Sequence, residues 1–413
     1  MKLPLFHIKD FTGLLNTYSR RLVIGNLINS VGNGLTMSLF MVYLTTVRDF
    51  SMTFSGFALA WMAVVGLILN PIVGSAIDNF GARLVVIIGL VIRSIGTFGL
   101  AIVDTRTSVV FVATLMAIGD AGIWPGQITA LTRITDEAHR PKIFAFNFMM
   151  LNLGYGMGGI LSALIVQAKN LPSFQTLYRV DGATFLIYLI LMLSLPSFVG
   201  KRENHHEAPT GSYAQVFKIK ELLQLTSANL LLVSFGYSAA IAGLPIFIVE
   251  VLDISPKWLG IIWAANTLTI VLFQPAIARW LETTDKLKAL RWVGVIWAIS
   301  WVFAGVSGWT SIVWIIPLQL ISSVIFAFGE MIWAPKAPSI VNRIAPEELR
   351  GRYNSVMAMN WNIAAIIGAA LVGIMIGRGL YLEWLILMFI GSVLPITMFR
   401  SIPGLEVKER ANS

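Results

Sequence analysis

The 413-residue chain is 56% hydrophobic and only 12% charged, about half the charged share of an ordinary soluble domain, so a water-soluble fold of this length is excluded. Its net charge of +9 reads as membrane orientation and attraction to anionic headgroups, with no need to invoke nucleic acid. The absence of cysteine rules out disulfides, thiol catalysis and Cys-ligated metal.

A helix crosses the hydrocarbon core in roughly 20 apolar residues, because lipid forces every backbone polar group to be satisfied within the segment. On that measure residues 1–21, which lack a cleavage site after a short apolar core, are expected to form a retained cytoplasmic N-terminal segment. Spans are then expected at 22–44, 54–77, 84–103, 109–131, 143–166, 180–199, 228–250, 257–278, 290–308, 312–335, 354–376 and 381–399. Unbroken apolar runs such as LILMLSL and IVWIIPLQLI favour helices over barrel strands, which would alternate polar and apolar positions.

The longest polar stretch, GKRENHHEAPTGSYAQVFKIKE, divides the spans six and six. It sets an N-terminal bundle at 22–199, a cytoplasmic central loop at 200–227, a C-terminal bundle at 228–399 and a cytoplasmic tail at 400–413. His205 and His206 on this polar linker make a poor coordination geometry, and no metal is expected. YAQVFKIKELLQL reads as a short amphipathic helix at the inner membrane surface. With both termini inside, about 23 of the 30 basic residues fall on the cytoplasmic side and about 6 outside, as the positive-inside rule asks.

The halves also match each other, at an offset of roughly 210 positions in the best region. Gly119-Asp120 falls on Gly329-Glu330, Pro125 on Pro335, Arg133-Ile134 on Arg343-Ile344, Arg140 on Arg350, Asn152 on Asn362 and Gly158 on Gly368. Chance pairing of apolar helices would share Leu and Ile rather than Gly, Pro, Arg and Asn. At a slightly smaller offset NPIVGSAID meets QPAIARWLE, which sets Asp78 opposite Glu282.

The turn GSAIDNFGAR between spans two and three carries Gly74, Asp78, Gly81 and Arg83 where the major facilitator superfamily has G-x-L-A-D-R-x-G-R-[KR], and the chain is identified on these residues as resembling that superfamily. Ala76, Asn79 and Ala82 depart from the pattern, removing two basic positions. Within the superfamily the chain is most similar to twelve-span proton-linked drug exporters. Their span-five pattern G-x-x-x-G-P-x-x-G-G finds Gly154 and Gly158 in register in LNLGYGMGGILSA, with Gly159, Ser162 and Ala163 departing. The resemblance implies an all-α fold of twelve transmembrane helices in two pseudo-symmetric six-helix bundles. It also implies alternating access, a small-molecule substrate exchanged for protons, no cofactor, a monomer, and a multi-pass place in the cell membrane.

Charge inside a span costs at least ~2.5 kcal/mol on insertion scales, so each instance is a functional candidate. Asp120 in span four and Glu330 in span ten are the candidate proton carriers, since burial disfavours the charged form of a carboxyl. The alternative is a structural role, with Lys336 close enough in sequence to hold Glu330. Arg93 in span three reads as a structural ion pair with Asp120 or Asp78, or as a substrate contact. Asn26, Asn29 and Asn33 recur at spacings of three and four on one face of span one. Such a stripe suits either a water-filled cavity wall or hydrogen bonding between helices.

Met37, Tyr237, Asn266, Trp333, Asn360 and Trp361 complete the candidate substrate cavity, with aromatic and thioether groups offering adaptable contacts to bulky compounds; lipid-facing packing is the alternative for the aromatic residues and Met37. Gly74, Asp78, Gly81 and Arg83, with Glu282 opposite, are the candidate cytoplasmic gate. No nucleophile elbow, zinc motif or phosphate loop occurs, so the chain is expected to draw on an ion or solute gradient and not to be an enzyme. The expected activity is export of small amphipathic compounds against proton entry. Metabolite uptake, lipid flipping, and a nontransporting receptor or scaffold are the alternatives.

Overall fold

The computed structural model describes residues 13–36, 39–166, 170–199, 213–255 and 257–399. In chain order its long helices are α1 (Thr17–Thr36), α2 (Met52–Phe80), α3 (Ala82–Leu100), α4 (Arg106–Arg133), α5 (Arg140–Ile165) and α6 (Leu171–Leu193). They continue with α7 (Lys220–Val251), α8 (Lys257–Glu282), α9 (Lys286–Val306), α10 (Ile312–Ile344), α11 (Arg350–Met375) and α12 (Tyr381–Met398). No strand occurs among the described residues. Among the described residues, eleven spans are long and apolar enough to cross a membrane, and a twelfth is added when α1 and the segment Phe40–Val47 count as one bent span. Apolar side chains such as Ile68, Leu164, Ile312 and Val313 are at least 62% exposed, an arrangement suited to lipid and hazardous in water. The protein is a multi-pass membrane protein.

Spans six, seven and ten differ most from their sequence-based limits, seven beginning at Lys220 and not 228, inside the stretch expected as central loop. α6 begins at Leu171, not 180: Asn170 caps it by accepting from the Ser173 amide, and Pro172 sits in its first turn. The polar stretch this brings inside is tolerated because its groups find partners, as when Gln175 donates to the Ala101 carbonyl at 2.9 Å. α10 runs on past 335 to Ile344 despite Pro335 and Pro338. Pro335 has no N–H to offer the Met331 carbonyl one turn back, and the Gln274 side chain of α8 donates to that carbonyl instead, at 3.2 Å. The stretch expected as one amphipathic helix is divided. Tyr213–Val216 forms a single turn, and the KELLQL part is the start of α7. His205 and His206 lie outside the described residues.

The chain folds as two compact units, one made of α1 to α6 together with residues 345–359, the other of residues 212–344 and those from 360 onward. In the first, α3 packs between α4 and α6, α1 packs on α5 and α6, and α2 on α4; in the second, α9 packs on α10 and α12, and α8 on α10. The internal repeat is visible in the elements themselves. A short 3-10 turn, Glu137–His139, leads into α5, and its counterpart Glu347–Leu349 leads into α11. The π turns Tyr43–Val47 and Phe247–Val251 are each followed by an Asp with positive φ, Asp49 at 56° and Asp253 at 53°, a conformation Asp tolerates better than most residues.

Small residues set the closest helix approaches. A Cβ at Gly158 of α5 would collide with the Val31 carbonyl of α1 and lie 2.8 Å from Gly34 Cα, and one at Gly154 would lie 2.8 Å from the Leu27 carbonyl. At Gly159, on the next position, it would meet nothing within 4 Å. Gly158→Ala is therefore expected to destabilise the N-terminal unit by ~1–3 kcal/mol, with a melting temperature lower by roughly 3–10 °C. Gly159→Ala should melt like the parent. Equal melting of the two variants would show that this contact does not set the α1–α5 distance.

Candidate functional site

Three groups of candidate residues assemble within the two units. The first is the turn between α2 and α3. Gly81, with φ 89° and ψ 147°, ends α2 and starts α3 in a backbone conformation that only glycine adopts freely. Asp78, its side chain fully buried, points at the start of α11: Oδ1 accepts from the Gly351 amide at 2.6 Å and Oδ2 from the Arg352 amide at 3.1 Å. The Arg352 guanidinium stands 3.6 Å away and also donates to Ser75. A carboxylate at a helix N-terminus satisfies free amides and meets the positive end of the helix dipole. Gly351 is part of the fit, because a Cβ there would lie 2.5 Å from the Gly74 carbonyl and 2.6 Å from Asp78 Oδ1. Arg83 binds the carbonyls of Met192 and Leu193 at the end of α6, which Arg21 also grips through Ser194. Glu282, opposite Asp78 in the repeat, is exposed at the end of α8.

The second group lies inside the N-terminal unit. Gly119 lets α4 approach α3 so closely that a Cβ on it would fall 2.8 Å from Arg93 Cα. One position further on, Asp120 accepts from Arg93 Nε at 2.8 Å. The pair is lopsided: the Arg93 side chain is 9% exposed and the Asp120 side chain 49%. Arg93 is held on its other side by Thr97 at 3.0 Å and by the face of the Phe185 ring, 4.9 Å from the guanidinium carbon. Asp78 is engaged elsewhere, so Asp120 is the carboxylate beside Arg93. On α1, Asn26 donates to Asn147 of α5, Asn29 is buried with its carbonyl oxygen unpartnered, and Asn33 is half-buried. Met37 lies outside the described residues.

The third group belongs to the C-terminal unit. Glu330 is 3% exposed, and its partners are neutral: Asn266 Nδ2 donates at 2.6 Å and the Tyr237 hydroxyl also bonds to it. Lys336 does not fill the role that sequence proximity suggested. Its ammonium donates to the Leu281 carbonyl at 2.7 Å and to that of Thr284, closing the end of α8. Around Glu330, Tyr237 stands edge-on to Trp361 at 4.8 Å and 6.3 Å from Trp333, while Trp333 and Trp361 are 5.4 Å apart. Trp333 donates to Asn229 and Asn360 to the Thr226 carbonyl, so both are anchored on α7. Tyr237 lies in the π turn Val233–Ser238, a helix irregularity frequent at functional sites. A mainly apolar cavity of about 30 Å³ adjoins Asn266, lined among others by Leu244, Pro245, Ile248, Trp263 and Phe326. That is room for one or two water molecules.

Sequence reading did not mark Asp181 of α6, which is 1% exposed and bonded to Thr36, because the expected span, 180–199, set it at the membrane edge, whereas α6 runs from Leu171 and sets it mid-span. The cap signal Asn170-Leu171-Pro172 would have found it.

The family model described as Major Facilitator Superfamily matches residues 22–369 and 226–412 of the chain. The chain belongs to the major facilitator superfamily. Relatives in the superfamily include the MFS-type transporter YdeE of Escherichia coli, 24% identical over 84% of this chain and 85% of its own. The quinolone resistance protein NorA of Staphylococcus aureus is 25% identical over 85% of this chain and 89% of its own. Among solved structures, a bacterial homologue of the iron transporter ferroportin in an outward-facing state has a TM-score of 0.78 at 12% identity, covering 94% of this chain and 99% of that one. The human organic anion transporter MFSD10 has a TM-score of 0.66 at 16% identity, covering 95% and 100%. At such identities these structures share the fold alone. As a superfamily member, the protein is a membrane transporter with a small-molecule substrate.

Proposed function

We propose that the protein exports small amphipathic compounds in exchange for protons, as a monomer with both termini and the Asp78 turn on the cytoplasmic side. The observation that carries this reading is Glu330. It is a buried carboxyl with neutral partners, Asn266 and Tyr237, set beside the aromatic side chains of Tyr237, Trp333 and Trp361. An unpaired buried carboxylate is costly and a neutral acid is not, so the site is built to gain and lose a proton. Aromatic faces around it supply apolar contact area, with the Tyr hydroxyl and indole N–H groups at their edges. In the other unit Asp120, half-exposed at mid-span, offers a second carboxylate; in a membrane such a group belongs against water. The name of NorA as a resistance protein supports export as the direction.

Purified protein in liposomes with a pH-sensitive dye inside tests the reading. An amphipathic dye cation such as ethidium should provoke proton movement opposite to its own. Movement of both in the same direction would replace exchange by symport, and no proton movement with any of a panel of such compounds would remove the coupling.

A further inference from the structure

Asp181 is used by none of the roles above, yet it is the most enclosed carboxylate of the N-terminal unit's interior cluster. It lies midway along α6 and is 1% exposed. The Thr36 hydroxyl of α1 donates to Oδ2 at 2.8 Å, while Oδ1 is buried with no hydrogen-bond partner. Oδ1 is pressed against α1 at Gly32, where a Cβ would fall 2.5 Å from it. The charged and titratable groups facing Asp181 are Arg93 from α3, Asp120 from α4, Tyr155 from α5 and Tyr178 on α6 itself; α1 contributes the neutral Thr36. Arg93 reaches the same face of α6, its guanidinium lying over Phe185 one turn beyond Asp181.

Charge bookkeeping decides what such a group does. Arg93 is the one cation among the groups acting on Asp181, but it is bonded to Asp120 and not to Asp181, and the Arg93–Asp120 pair is already neutral. An ionised Asp181 would leave an uncompensated negative charge in a low-dielectric interior, with one oxygen bare of donors, a costly state. A single proton removes that charge. We infer that Asp181 is a proton-binding site of the N-terminal unit, that Oδ1 takes the proton while Thr36 holds Oδ2, and that Arg93 is shared between Asp181 and Asp120 according to whether the proton is present. Binding converts carboxylate and proton into the neutral acid, with no other reactant. With the proton on, Arg93 is left to Asp120, the arrangement in this structure. With it off, Asp181 becomes a second anion competing for the guanidinium, and the half-exposed Asp120 carboxylate is held less firmly. Proton binding at Asp181 does not depend on which solute is moved or in which direction.

The test is an infrared pH titration of the purified protein in detergent, following the carbonyl stretch of protonated carboxylic acids across roughly pH 5 to 9. The parent should show a titrating buried-acid band that disappears in Asp181→Asn and survives in Glu330→Gln. Thr36→Val should shift this band to higher frequency, since a hydrogen bond to the carboxyl carbonyl is lost. Asp120→Asn should retain the band and move its midpoint to lower pH, because Arg93 is then free for Asp181 alone. A band unchanged in Asp181→Asn, or unmoved in Thr36→Val, overturns the assignment. Should Asp181→Asn not fold, the Thr36→Val shift decides by itself. Loss of substrate-driven proton flux with this band intact would count against export and leave the site standing.

Discussion

Asp78→Asn is expected to slow transport by roughly 30-fold while leaving equilibrium ligand binding within about twofold. The carboxylate accepts two amides at the start of α11, from Gly351 and Arg352, and faces the Arg352 guanidinium. Asn keeps the shape but offers one acceptor where two are needed, turns an NH₂ toward an amide donor, and removes the charge that the helix terminus favours. The loss amounts to about 2 kcal/mol, the scale of a charge-assisted hydrogen bond. Because Asp78 binds only the first residues of α11, about two turns before the substrate candidates Asn360 and Trp361, the cost falls on the population of the state in which the start of α11 is docked against this turn. Transport rates in liposomes set against binding isotherms in detergent separate the two effects. Equal losses in rate and affinity would contradict the assignment.

Glu330→Gln is expected to remove gradient-driven transport by about 100-fold or more, the scale lost when a positioned proton-transfer group is deleted. Gln matches Glu in size and still reaches Asn266, so the aromatic cluster of Tyr237, Trp333 and Trp361 should persist. What disappears is the ability to alternate between charged and neutral forms. The variant should therefore still exchange labelled for unlabelled substrate across the membrane when no proton gradient is imposed. Normal gradient-driven transport in both Glu330→Gln and Asp120→Asn would eliminate these carboxyls as the proton carriers. Loss of both exchange and gradient-driven activity in Glu330→Gln would instead assign the residue to substrate binding.

Asp120, Glu330 and Arg93 were legible because charge stands out inside an apolar run, whose insertion cost is a local property. Asp181 was hidden by its neighbours. Gln175 and Arg179 lowered the apolarity of the window until the start of α6 resembled a loop, although the cap at Asn170 was there to be read. Lys336 misled in the opposite way. Its nearness to Glu330 in sequence suggested a pair, but the ammonium turns to the end of α8. Likewise nothing in the sequence around Gln274 shows that it replaces the amide Pro335 lacks.

Composition, apolar run length and the repeated Gly, Pro, Arg and Asn positions were enough to determine an all-helical membrane protein of two related halves, because hydropathy and backbone demand act within a single segment. The register of the repeat, down to the paired short turns before α5 and α11, was also contained in the chain. Partners were not. Asp78 is matched to amides 273 and 274 positions away, Arg93 is divided between two helices, and Glu330 is left with Asn266 and Tyr237. Those assignments arise only when helices pack, since distance, burial and the supply of donors around a side chain belong to the neighbours that the fold brings to it.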